Sequence, residues 1–376
     1  MRSTDRWFFS SRDVLLVLTS IVCLEAASWA AAPGRQELLK KLVEEARREG
    51  ELVIWGVNSL GDDGAKAYGE AFKARFGLNN IRLKYDFAGD SGGKISQAIV
   101  ERRMGLPPTY DAMYATEDWT MQLIEASAVE SIEHWEVLLP EGVSPKFSSP
   151  GPVAGQAFVF GHRTKGNVYN TKVIPEKEMP QTTRDVGLPK YKGKFYTSPW
   201  TTAPIFGILV YSKEEWLEIM RAWGQNKAAT VRPAGGIQRM MMGEFAFEPF
   251  SNSYLYFQHK EKGSPAGLDV FADITPLAYI LHAVRKDARH PNAAKLFALW
   301  ATGPEAVQIF EKYTGTGNVH LKESRVGVID MEVIRKKKAR LIFWFDSAEN
   351  MRVLKWYTTE EGQAYEEKIS LALRLK

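Results

Sequence analysis

Along the first third of the chain the apolar positions switch between two spacings. Residues 35–48 place Leu38, Leu39, Leu42, Val43 and Ala46 on one helical face, and Gly50 follows as a stop. Residues 52–57 (LVIWGV) are a short apolar run of the kind that a strand buried on both faces requires. A turn at 58–64 (NSLGDDG) leads into a second helix through Ala65, Tyr68, Phe72 and Phe76, ended by Gly77. Ile81, Leu83, Tyr85 and Phe87 then alternate, which predicts a strand. The glycine-rich run 89–94 (GDSGGK) opens a helix with Ile95 and Ile99 inward. Residues 111–115 (DAMYA) read as a further strand, and 116–119 (TEDW) as the loop before another helix. This alternation predicts an α/β fold with parallel strands and right-handed crossovers. The strand-to-helix turns then emerge at one edge of the sheet, where open α/β sheets bind ligands. Asn58, Ser59, Ser91, Gly92, Gly93, Thr116 and Glu117 are therefore aimed at one place.

Farther along, 140–155 is rich in Pro, Gly and Ser and reads as a crossing between lobes. Residues 156–169 suggest two short strands around His162 and Arg163. The α/β alternation returns over 193–271, with a strand at Phe195 opening into 198–204 (SPWTTAP). Helices are expected over 214–223 and 236–242, a strand over 245–247, and an aromatic-bearing helix over 250–260. There is no tandem repeat and no low-complexity tract. Two α/β lobes, with the chain crossing more than once, describe a hinged clamshell.

The N-terminal segment alters the picture of where such a chain works. Arg2, Arg6 and Arg12 precede a short apolar core at 14–23 (VLLVLTSIVC), and small residues follow at 26–32 (AASWAAA). That is the pattern of a signal peptide over 1–32, cleaved near Ala30, and the core falls short of the roughly 20 residues of a membrane span. Cys23 is the single cysteine and lies inside that segment after Val22, so a lipid anchor is not expected. The mature chain then has no disulfide, no thiolate metal site and no thiol nucleophile. A net charge of +4, spread evenly, offers no concentrated basic face for nucleic acid. The run 335–338 (RKKK) reads as a solvated helix face. Eleven tryptophans exceed what cores of this size need and suit a protein that cages an organic ligand.

Three segments carry a family resemblance. One is 168–171 (VYNT) followed by Val173, Ile174, Pro175 and then 190–194 (KYKGK). Another is 243–263, and the third is 290–295 (HPNAAK) with Gly303, Pro304 and Glu305 beyond it. In these the chain resembles the type II extracellular solute-binding proteins, in the branch related to ferric-ion, phosphonate and organic-anion binders. The resemblance implies a type II periplasmic-binding clamshell, each lobe a mixed sheet flanked by helices. It also implies a monomer without cofactor or catalysis that delivers a small-molecule ligand to an inner-membrane ABC permease. The lobes expected are 33–118 with 273–330, and 119–272 with 331–376; the last stretch, helical from Met331 onward, is placed by the resemblance. Iron-binding relatives use two adjacent tyrosines, which here fall on Ser253 and Tyr254, and their histidine falls near Ser59. Their acidic ligand is matched by Glu117. A hard Fe(III) ion would lose strong donors by these changes, so a small organic anion is the expected cargo and iron the alternative; a ligand-sensing module not tied to transport is the other reading the same clamshell allows.

The candidate chemistry follows. A helix start at Ser91, Gly92 and Gly93 presents free backbone N–H groups to an anion or carbonyl, or is a glycine turn capped by Ser91. Residues 233–237 (PAGGI) offer a similar start in the second lobe. Arg163 aligns with an arginine that some relatives set against a bound anion, or forms an inter-strand salt bridge; Arg232 and Arg239 read as a solvated helix face. Trp119, Tyr196, Trp200 and Tyr254 are aromatic candidates, with Thr201 beside Trp200. Trp55, Trp216, Trp223, Trp300 and Trp344 sit in periodic segments and are assigned to cores. The six histidines show no metal-ligand spacing, no nucleophile elbow occurs, and Asp62–Asp63 and Glu117–Asp118 are adjacent carboxylates that make poor acid–base pairs.

Overall fold

The apolar runs become strands because their side chains have nowhere wet to go. In the computed structural model, which describes residues 34–89, 91–199 and 203–373, the body carrying the site runs from Leu42 onward. Strand β1 (Glu51–Trp55) buries Leu52, Ile54 and Trp55 and pairs in parallel with β2 (Arg82–Asp86) and β3 (Ala112–Thr116). The remaining strands are β4 (Ala157–Asn170), β5 (Tyr196–Thr197), β6 (Ala229–Thr230), β7 (Phe247–Asn252), β8 (Ala266–Asp269), β9 (Thr275–Val284) and β10 (Leu341–Ile342). The main sheet is mixed, in the order β2-β1-β3-β9-β4-β7, with β10 beside β9 and β8 beside β4; β5 and β6 form a separate parallel pair.

Two long antiparallel strands join the ends of this sheet. β9 pairs with β3 over 280–284 and with β10 at 275–276. β4 pairs with β9 over 157–164, then with β7 and β8 over 165–170. The two short strands expected over 156–169 are thus one strand of 14 residues, broken by a bulge between Val159 and Gly161. Gly161 suits that bulge: a Cβ there would lie 2.9 Å from Ile280 Cδ1 and 3.3 Å from the Gly317 carbonyl oxygen. Beyond the bulge the two-residue period buries His162 and Thr164 and turns Arg163 and Lys165 to the other face.

Other boundaries also moved. The 58–64 turn is mostly helical, since Asn58–Leu60 is a 3-10 turn that runs into the helix Gly61–Phe76. Residues 250–252 are strand, and the helix begins only at Ser253. Residues 140–155 carry short helical turns at Pro145–Ser148 and Gly151–Val153, tied to β4 by the Ser149 hydroxyl, which donates to the Ala157 carbonyl at 2.7 Å. Asn170 of the VYNT segment is buried and donates to the Met240 carbonyl at 2.8 Å, which explains its place there. No described helix is long and apolar enough to cross a membrane.

Trp216, Trp223 and Trp300 are buried as expected. The first two sit in an aromatic cluster with Phe195, Phe247, Phe250 and Phe271. The helix Lys213–Asn226, started by a Ser212–Glu215 capping box, lies against the helix Glu360–Ala372. Gly224 permits that approach: a Cβ there would lie 2.1 Å from the Ala372 carbonyl oxygen, which is backbone and cannot swing away. Gly224→Ala is expected to destabilise the protein by about 1–3 kcal/mol, the usual cost of overpacking. A urea unfolding midpoint unchanged from wild type would show that the two helices do not pack this way.

Candidate ligand-binding cavity

The edge of the sheet where β1, β2 and β3 end opens onto a cavity of about 340 Å³. Such a volume lies at the lower end of the roughly 300–1,000 Å³ typical of small-ligand pockets. β1 delivers Trp55, Gly56, Val57 and Asn58 to it, and the β2 turn delivers Phe87, Gly89 and Ser91. β3 and the helix Glu117–Glu125 bring Tyr114, Thr116, Glu117, Asp118 and Trp119. β4 adds Arg163 and Lys165, with the small Ala278 of β9 beside them. The far wall is Ile205, Phe206, Trp344, Leu354 and Tyr357.

Long-range contacts hold these elements in place. Glu117 is buried, and its Oε1 accepts the Tyr279 backbone N–H of β9 at 2.7 Å. The helix Ser91–Arg103 is held through its far end by Arg285, the residue after β9, which donates to the Ala98 carbonyl at 2.9 Å and pairs with Glu101 at 3.2 Å. The far wall hangs on β9 as well. β10 pairs with it in parallel, and the 3-10 turn Trp344–Asp346 and helix Ala348–Tyr357 follow directly. Ser347 caps that helix by accepting from the Asn350 N–H at 3.0 Å, and Asn350 donates back to the Phe343 carbonyl at 2.6 Å. Gly207, next to Phe206, lies against the Trp216 ring with no room for a Cβ.

The charges in the cavity perturb one another. Burial pushes the Glu117 carboxyl up to about 8, opposed by its backbone N–H partners and by Arg163, with Asp118 adding to the rise. Burial also raises Asp118, which accepts from the Thr116 hydroxyl. Burial, then the like charge of Arg163, pushes Lys165 down to about 8, against the pull of Glu248 and Glu117. Glu248 is raised to about 7 by burial, although Ser251 and Tyr196 donate to it at 2.6 and 2.9 Å. The donors are less well served. Arg163 Nε and Trp55 Nε1 are buried with no hydrogen-bond partner among the described residues, and both residues line the cavity. Arg163 Cζ lies 5.6 Å from the Tyr114 ring centre, and the Trp55 ring 5.7 Å from it.

Of the residues singled out by sequence, Asn58, Ser91, Thr116, Glu117, Trp119 and Arg163 line this cavity. Trp119 does so from the first turn of a helix rather than from a loop. Ser59 is exposed and is not part of the lining, and Gly92 and Gly93 sit in the first helical turn without lining it. Tyr254 is half-buried next to the lining, its phenol raised by burial while Arg163 opposes the rise. Tyr196 is core, fully buried against Phe245 and bonded to Glu248. Trp200 and Thr201 lie outside the described residues. Trp55 and Trp344, assigned above to cores, are indeed buried but also form cavity wall. Tyr114, Asp118, Lys165 and the aromatic far wall were not read from sequence. Lys165 was accessible in principle, two residues past Arg163 on one strand face. Ser253 donates to Asp330 at 3.0 Å in a buried contact, and among the described residues no group of three or more His, Cys, Asp or Glu side chains is arranged to hold a metal.

No protein-family model matches this sequence, and no curated protein is similar to it in sequence. Solved structures are similar in fold. Iron-bound HitA from Pseudomonas aeruginosa aligns with a TM-score of 0.62 at 18% identity, over 82% of this chain and 99% of that one. The periplasmic binding protein AfuA from Actinobacillus pleuropneumoniae, with fructose-6-phosphate bound, gives 0.61 at 20%, over 82% and 97%. PotD from Streptococcus pneumoniae, a spermidine/putrescine ABC transporter substrate-binding protein, gives 0.61 at 18%, over 86% and 99%. The chain therefore has the mixed α/β architecture of the type II periplasmic-binding proteins, and its structural neighbours are binding proteins of ABC transporters with unlike cargoes.

A carboxyl raised from its ordinary value to about 8 keeps its proton in the folded state while the unfolded chain loses it. Glu117 therefore subtracts stability as pH rises from about 5 to 8, with a slope approaching 1.4 kcal/mol per pH unit. Glu117→Gln keeps the acceptor for Tyr279 and removes the titration. The stability difference between variant and wild type, followed by urea unfolding without ligand, is expected to grow in favour of the variant across that window. A difference independent of pH would contradict the burial of a titrating Glu117.

Proposed function

We propose that this protein is the extracytoplasmic solute-binding component of an ABC importer, and that its cargo is a small organic anion. The observation that carries the cargo is the imbalance of partners in the cavity. Its carboxylates already accept hydrogen bonds, from the Tyr279 N–H and the Thr116 hydroxyl, while Arg163 Nε and Trp55 Nε1 have no acceptor among the described residues. An incoming acceptor therefore gains most on the donor side of the cavity, where Arg163 and Lys165 lie on one strand face. A guanidinium beside an ammonium selects negative charge, and its planar fork suits a carboxylate.

This imbalance disfavours two other cargoes. A polyamine would bring further donors and positive charge beside Arg163 and Lys165. Ferric iron would need anionic oxygens, and Ser253 stands where iron-binding relatives have a tyrosine. The two halves, 33–118 with 273–330 and 119–272 with 331–376, are the lobes of a clamshell, with β4 and β9 as the strands shared between them. Closure over the ligand expels water and sharpens the electrostatics. The leader over 1–32 sends the monomer to the periplasm, and an inner-membrane permease receives the cargo. Catalysis and nucleic-acid binding have no part in this reading.

Isothermal titration against a panel of small carboxylates and phosphonates is expected to give binding, and Arg163→Gln to weaken it about 10- to 100-fold, the worth of a charge-assisted hydrogen bond. Tight binding of Fe(III) or putrescine with no binding of any anion would overturn the assignment. The pH dependence has a fixed sign. As pH rises through about 8, Lys165 loses its charge and Glu117 gains one, so anion affinity is expected to fall. Affinity flat between pH 6.5 and 9 would remove Lys165 and Glu117 from the account.

A further inference from the structure

The walls of the cavity narrow the kind of anion it takes. On the side formed by β1 and β3, Trp55 and Tyr114 lie 5.7 Å apart between ring centres at 38°. Trp119 stands edge-on to Tyr114 at 6.4 Å and 86°. On the far side, Phe206 and Trp344 are stacked at 4.3 Å and 27°. Phe87 and Tyr357 complete the lining. Two groups of rings from separate parts of the chain thus bound one space of about 340 Å³. Rings packed offset or edge-to-face gain about 0.5–1.5 kcal/mol per pair beyond the area they bury. A flat π-system collects that gain from both walls, and a puckered aliphatic ring collects only the burial.

The polar groups place the negative charge. β4 turns Arg163 and Lys165 to the cavity from one strand face, and Arg163 Cζ lies 5.6 Å from the Tyr114 ring centre. A carboxylate set beside these two leaves the rest of the ligand to the rings.

We propose that the ligand is an aromatic or heteroaromatic carboxylate, its ring lying among Trp119, Phe206 and Trp344 and its carboxylate set beside Arg163 and Lys165. This rests on the reading of the cavity as an anion site and adds the ring to it.

Matched pairs that differ only in ring saturation test it: benzoate with cyclohexanecarboxylate, and 2-naphthoate with decalin-2-carboxylate, each titrated calorimetrically into the full chain. The arene of at least one pair is expected to bind ten-fold or more tightly than its saturated partner, and inorganic phosphate more weakly than that arene. Trp119→Leu is expected to weaken the arene more than its saturated partner and so erase the preference, and Trp119→Phe to keep it; the partial exposure of this side chain makes both variants tolerable to the fold. Saturated acids binding as tightly as arenes would overturn the aromatic ligand and leave the anion site standing. A phosphate bound more tightly than every carboxylate would overturn the carboxylate in the same way. Failure of every anion alongside binding of a cation or metal would overturn the anion site itself, and the aromatic ligand with it.

Discussion

The antiparallel pairing of β4 with β9 is the constraint on which the rest of the molecule hangs. β3 docks on one end of β9 and β10 on the other, and β7 and β8 dock on the far half of β4. Elements remote in sequence meet at the cavity because each is tied to one of these two strands. Arg285, directly after β9, grips the helix that begins at Ser91, the Tyr279 N–H fixes the helix that begins at Glu117, and the β9–β10 pairing leads the chain to Trp344. The bulge at Gly161 sets the phase of β4 beyond it, and that phase decides whether Arg163 and Lys165 face the cavity or the core. One residue more or less would put His162 and Thr164 in the cavity instead.

The same frame explains the odd electrostatics. The cavity is dry enough to hold a carboxyl up to about 8 and a lysine down to about 8, and Arg163 Nε has no acceptor among the described residues. Stability alone would not select that arrangement, since each unmet buried donor costs about 1–3 kcal/mol. The aromatic cluster around Trp216 and Trp223 reaches the cavity through Ile205, Phe206, Trp344 and Leu354, so that core and the far wall are one packed body, while the buried Arg285–Glu101 pair stands outside the lining.

Much of the near wall was legible in the sequence, and almost none of the far wall. Asn58, Ser91, Glu117 and Trp119 follow from one rule, that parallel strands followed by helices turn at a common edge, and the period of the apolar residues located those turns. Trp55 is in the core as its periodicity indicated, yet it also forms cavity wall; periodicity reports burial, not what lies beyond the ring. Tyr196 failed the opposite way, since the turn near it suggested exposure while its hydroxyl is consumed by Glu248. Phe206, Trp344 and Tyr357 carry no local mark. Their place depends on β10 pairing with β9, a two-residue contact across more than 60 positions of chain that no window of sequence reveals. The bulge at Gly161 split β4 into two apparent strands for a similar reason, because a glycine among apolar residues reads as a break and only the partner strand shows continuity.

The origin of the two walls bears on how the fold serves unlike cargoes in its structural neighbours. The near wall is built from strand ends and helix starts, whose backbone the sheet fixes. The far wall is built from short helical turns, at Ala203–Leu209 and Trp344–Asp346, that side chains hold in place. Substituting residues in those turns changes the lining without disturbing strand register, so chemistry can diverge there while the architecture persists at identities below about one in five. In this chain both turns carry aromatics where the strand face beside them carries two cations, and the pairing of those features, rather than the fold, is what specifies the guest. A ligand bridging both walls would also bind the folded chain alone, and so raise its stability by RT ln(1 + [L]/Kd). Cargo and fold are then thermodynamically linked through the same two strands.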